Sequence, residues 1–134
     1  MNDIVISKMQ SIHRCIGRAR EERQKAGDLF SIDFTRQDAA VLNITRACEM
    51  SIDLANHIIR REKLGIPMSS AESFTLLARK GIIPTSLEDK LINMVGFRNT
   101  AIHAYQKLKI EIIEAVIKTG LDDLLELTEL LRNR

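Results

Sequence analysis

Apolar residues along this chain gather in long stretches at helical spacing, punctuated by glycine and proline and not by hairpin turns. From Ala39 to Ile59, 13 of 21 positions are apolar, more than the single stripe of a helix lying on a surface. This predicts a central helix from about Thr35 to about Leu64, covered on more than one side, with Gly65 and Pro67 as stop signals. A first helix is predicted from about Asp3 to Ala26, closed by Gly27. Ser69 and Glu72 have capping-box spacing and open a short third helix, which Gly81 ends before Pro84. Thr85 and Glu88 repeat that spacing and open a fourth, running through Leu87, Leu91, Met94 and Val95. A last helix spans about Leu108 to Leu131. Gly120 kinks or splits it, since glycine costs about 1 kcal/mol against alanine in a helix. No two-residue turn separates alternating apolar runs, so little or no sheet is expected. The predicted fold is all-α: an up-and-down bundle of about five helices, in a single domain over residues 1–134.

Composition narrows the class. The chain is 45% apolar and 28% charged, an ordinary globular balance. It has no Trp and few aromatics, so its core must be largely aliphatic. The first ten residues have no long apolar stretch, so they do not read as a signal peptide. The longest uninterrupted apolar run, Ala39 to Leu42, falls far short of the roughly 18 residues of a membrane span. Cys15 and Cys48 form neither a CxxC pair nor a secreted disulfide framework; they are expected to be buried thiols in a reducing cytoplasm.

A net charge of +2 argues against a dedicated, specific duplex-DNA binder but permits local contact with nucleic acid. The first helix carries Lys8, Arg14, Arg18, Arg20, Arg23 and Lys25. The last carries Glu111, Glu114, Asp122, Asp123, Glu126 and Glu129 against Lys118 alone. Most of these are expected to be solvated helix faces; the sharper reading is a basic rim that steers a polyanion.

The chemistry concentrates in FRNTAIHAY, residues 97 to 105. Arg98 is a fixed cation, and its planar fork of donors suits the nonbridging oxygens of a phosphodiester. Imidazole exchanges a proton near neutrality, which makes His103 the candidate proton carrier for attack by an RNA 2′-hydroxyl or departure of the 5′-oxygen. Asn99, four residues before His103, shares its face and can orient it or donate to the phosphate. Tyr105 can hydrogen-bond the phosphate or stack on a base. Arg98 and His103, however, stand about 140° apart on a regular helix. Either the helix ends inside the motif, between His103 and Lys107, or a second chain completes the pair. No glycine-rich phosphate loop, paired catalytic carboxylates or zinc ligand set is present, so no cofactor and no metal are expected. Glu49, Asp53 and His57 on the central helix form a remote alternative, half of a bundle metal site. His13 is expected to be partly buried.

The string Arg98, Asn99, His103, Tyr105 resembles the motif of the HEPN superfamily, in particular the HepT-like toxins of toxin–antitoxin pairs. That motif is Arg, then four to six residues beginning with a polar one, then His, one further residue and Tyr. The flanking NMVGF and QKL look like the same subfamily, and the resemblance covers the whole chain. It implies a helical bundle that forms a symmetric homodimer, with two motifs meeting at a cleft. It also implies metal-independent endoribonuclease activity on RNA, with Arg98 and His103 catalytic and Asn99 and Tyr105 supporting. The implied partner is a minimal nucleotidyltransferase antitoxin that silences the toxin by transferring AMP to Tyr105, the only tyrosine in the chain. The alternative within the same superfamily is a non-catalytic module that binds a nucleotide or a nucleotidyltransferase.

Overall fold

The computed structural model describes residues 2–134. Helix α1 (Asp3–Ala26) starts at Asn2, whose side chain accepts hydrogen bonds from the amides of Ile4 and Val5. It ends at Gly27, where φ is +56°, a conformation that costs glycine little because it has no Cβ. The short 3-10 turn that follows (Gly27–Leu29) drops Phe30 into the core. Helix α2 (Phe34–Arg61) begins at Asp33, which accepts from the Arg36 amide at 3.0 Å. Twelve of its 28 residues are buried, and it packs against α1 and against the three helices that follow. The expectation of a central, multiply covered helix therefore holds.

Helix α3 (Ser70–Arg79) is capped by the Ser69 hydroxyl, which accepts from the Glu72 amide at 3.1 Å. The Glu72 carboxylate reaches back to the Met68 amide at 3.2 Å, one residue beyond the expected capping box. Helix α4 (Thr85–His103) differs more from the sequence reading. Thr85 is already helical, Pro84 holds the N-cap position at φ −72°, and no side chain among the described residues caps the helix. The helix begins one residue earlier than the Thr85–Glu88 capping box expects, with the Pro84 carbonyl accepting from the Leu87 and Glu88 amides.

After a 3-10 turn (Tyr105–Lys107), the last helix runs as α5 (Ile110–Ala115), a π turn (Val116–Gly120) and α6 (Leu121–Leu131). The interruption expected at Gly120 is this π turn. The turn packs closely: a Cβ on residue 120 would stand 2.8 Å from Met94 Sδ on α4 and 3.4 Å from Val116 Cγ1. A larger residue at 120 must displace the Met94 side chain. Gly120→Val should therefore overpack the contact and lower the unfolding free energy by about 1–3 kcal/mol; urea denaturation would show the midpoint falling.

The core is mainly aliphatic, joined by Phe30, Phe74 and Phe97, whereas Phe34 is 70% exposed. Cys48 is buried and Cys15 only half-buried, and both are free thiols. The basic first helix and the acidic last helix prove to be neighbours. Arg20 pairs with Asp122 at 2.7 Å, and Arg23 with Glu114. Those cations are paired at the bundle surface, so this part of α1 is not an open basic rim. Each such partly exposed pair contributes at most about 1 kcal/mol. Among the described residues no helix is long and apolar enough to cross a membrane.

Candidate functional site

The motif occupies the end of α4 and the turn after it. α4 stays a regular helix through His103 and stops there, because Ala104 leaves helical geometry (φ −149°, ψ 49°) while its amide still closes the last turn onto the Thr100 carbonyl. The helix end falls at the early edge of the expected range. A regular helix to His103 keeps Arg98 and His103 about 140° apart around the axis.

Arg98 turns toward α2 and α3. Its side chain is only 15% exposed, and Nη2 donates to Ser70 Oγ at 2.8 Å. Nε lies 3.5 Å from Glu49 Oε1. That approach is an ion pair, yet it lacks hydrogen-bond geometry, and Nε is a buried donor without a hydrogen-bond partner. A buried donor left unmatched is costly, and the nearby Glu49 carboxylate offsets part of that cost by its charge. Beneath it lies Cys48, whose thiol burial pushes up to about 12, against the opposing pull of the Arg98 charge. The thiol stays protonated and is no nucleophile.

His103 is exposed at the tip of α4, as is Asn99 one turn earlier. Neither Arg98 nor Tyr105 makes a hydrogen bond or ion pair with His103 among the described residues. A groove of about 830 Å³ between α4 and the last helix is lined by Gly96, Phe97, Thr100, Leu108 and Ile112 among others. None of the four motif residues lines it.

Tyr105 begins the 3-10 turn and lies across the start of α2. It is 42% exposed, and its hydroxyl donates to Asp38 Oδ1. Burial of the ring pushes the phenol up to about 12, and the hydrogen bond to Asp38 and the negative charge of that carboxylate add to the effect. Because the chain has one Tyr and no Trp, tyrosinate absorbance reports this phenol alone. In Asp38→Asn the absorbance midpoint should move to lower pH while staying above 10, since burial, the largest cause, remains. An unmoved midpoint would show that Asp38 does not govern the phenol.

Sequence reasoning misses Ser70 and Asp38, and it places Glu49 in the metal alternative. The structure corrects that alternative. Glu49 faces Arg98 and Asp53 is exposed. His57 is held below the usual imidazole range by burial first, then by the Arg61, Arg60 and Lys8 charges. Its neighbours are cations, not ligands. Among the described residues no three His, Cys, Asp or Glu side chains converge on a metal position. His13 is exposed, not partly buried, and its Nε2 lies 3.2 Å from Thr128 Oγ1.

Comparison with known proteins gives a consistent picture. A protein from Shewanella oneidensis described as mRNA nuclease HepT is 49% identical over 123 residues, 92% of each chain. The solved structure of a tri-AMPylated Shewanella oneidensis HEPN toxin in complex with an MNT antitoxin superposes with a TM-score of 0.94 at 44% identity, over 100% of both chains. A toxin–antitoxin structure with AMP-PNP superposes with a TM-score of 0.92 at 44% identity, covering 98% of this chain and 99% of that one. The cytosolic protein YutE of Bacillus subtilis, 13% identical with a TM-score of 0.81 over 96% of this chain and 86% of its own, shares the fold alone. The sequence model described as "Ribonuclease HepT-like" matches residues 12–131. With that match spanning nearly all of the bundle and the full motif in place at the end of α4, the chain belongs to the HepT-like family.

Proposed function

We propose that this chain, acting as one helical domain in the cytoplasm, is the toxin of a toxin–antitoxin pair. It cleaves RNA as a metal-independent endoribonuclease and is silenced by AMP transfer to Tyr105. The observation that carries the reading is the intact Arg98, Asn99, His103, Tyr105 string at the end of α4, in a chain 49% identical to a protein described as mRNA nuclease HepT.

The geometry bears on how the site would work. Within one chain Arg98 and His103 lie on different flanks of α4, so a single copy does not clamp one phosphodiester between them. A two-fold dimer that apposes the ends of two α4 helices supplies the missing half. Leu42 on α2 and Ile102 on α4 are 48% and 49% exposed, which gives such a dimer apolar surface beside the motif. In the assembled cleft His103 would carry the proton of the 2′-hydroxyl or of the leaving 5′-oxygen. Arg98 would hold the nonbridging oxygens through its guanidinium as negative charge builds on phosphorus. Asn99 would orient His103 or donate to the phosphate. AMP on Tyr105 would bring a fixed negative phosphate and a base to the same cleft, competing with RNA for its cations.

The test is cleavage of single-stranded RNA by the purified chain in EDTA, with the oligomeric state measured alongside. Cutting by a dimer is the expected result. No cutting above background, with a nucleotide or nucleotidyltransferase still bound, would instead support the non-catalytic binding module.

A further inference from the structure

Asp38 is a charged group that the reading above leaves without a role, and it touches a reacting atom. It lies one turn after Phe34 on the exposed side of α2, and the only tyrosine hydroxyl of the chain donates to it. The contact joins residues 67 apart in sequence. It depends on the break at Ala104, which throws the ring off α4 and onto α2. Asp38 precedes Glu49, the partner of Arg98, by eleven positions, about 16 Å along α2. The phenol and the guanidinium thus hold partners at different levels of α2, and Tyr105 is 42% exposed.

From this geometry we infer that Asp38 is the proton acceptor for nucleotidyl transfer to Tyr105. The inference rests on the proposed AMP transfer. In the step, the phenolic oxygen forms a bond to the α-phosphorus of a nucleoside triphosphate. The bond from that phosphorus to the bridging oxygen breaks, and its electron pair leaves with pyrophosphate. The phenolic proton passes to the Asp38 carboxylate and from there to solvent. The products are a tyrosyl phosphodiester of AMP, pyrophosphate and one proton.

The chemistry needs such a group. A phenol held up to about 12 supplies almost no phenolate near neutrality, so its oxygen must attack with the proton still attached. As the oxygen–phosphorus bond forms, that proton becomes strongly acidic, and a carboxylate already hydrogen-bonded to it can take it without rearrangement. The esterified oxygen then has no proton to donate, and the new phosphate repels Asp38. The modified ring is released from α2, free to carry its anion elsewhere.

The experiment follows AMP addition to the full chain by intact mass, with its cognate nucleotidyltransferase and ATP, for wild type, Asp38→Asn, Asp38→Glu and Tyr105→Phe. Asp38→Asn should be labelled about a hundredfold more slowly, and Asp38→Glu should recover to within about tenfold of wild type. Binding of each variant to the transferase, by gel filtration, should match wild type. Labelling of Asp38→Asn at the wild-type rate would overturn the inference and place the base on the transferase. So would a rate loss matched by an equal loss of binding. A wild-type chain that takes no AMP, or Tyr105→Phe labelled as fast as wild type, would instead bring down the AMP-transfer reading on which the inference stands.

Discussion

His103→Ala should reduce RNA cleavage in EDTA by about a hundred- to ten-thousand-fold, the usual worth of a positioned proton carrier. His103 is exposed at the last position of α4 and belongs to no packed cluster, so the fold should survive the change. An unaltered helical circular-dichroism signal would separate lost chemistry from lost structure. Arg98→Ala should cost on the order of 3 kcal/mol of transition-state stabilisation, or roughly a hundredfold in rate. Arg98→Lys should not restore it, because the ammonium lacks the fork that reaches Ser70 and an anion together. If both alanine variants cut at the wild-type rate, the Arg98–His103 assignment is wrong. In a mixed dimer of the two variants, one composite cleft pairs a wild-type Arg98 with a wild-type His103. Partial recovery of cutting on mixing would therefore locate the site between copies.

Tyr105→Phe should abolish AMP addition outright, since no second phenol exists in the chain. The partner transferase should then fail to protect cells that express the variant wherever protection depends on the adduct. Intact mass with ATP is the direct measurement: wild type gains AMP and Tyr105→Phe gains none. Equal mass gain in the two proteins would move the modification to another residue.

Several elements are legible in the sequence itself. α1 begins and ends where Asp3, Ala26 and Gly27 place it, and α2 falls within a few residues of its predicted limits. Both follow from local rules: a glycine that reaches positive φ, and an apolar density too high for a surface helix. The entry to α4 escapes these rules, because a Thr-x-x-Glu pattern cannot reveal that Pro84, in extended geometry, holds the N-cap position instead of Thr85. The π turn at Gly120 is legible only as a weakness; that Met94 packs against it from another helix is not.

The candidate site divides along the same line. Arg98, Asn99, His103 and Tyr105 stand within eight residues, so their chemistry and the helix end after His103 can be read from spacing and wording. Their partners cannot. Ser70 and Glu49 converge on Arg98 from α3 and α2, and Asp38 meets Tyr105 across 67 residues of chain. Helix periodicity fixes which residues share a face of one helix, and it says nothing about which face of another helix arrives there. That depends on how the buried apolar surfaces of the bundle interlock, a property of all the helices at once. Local sequence thus carries the motif and the order of the helices; packing alone chooses what each motif side chain touches and which way it points.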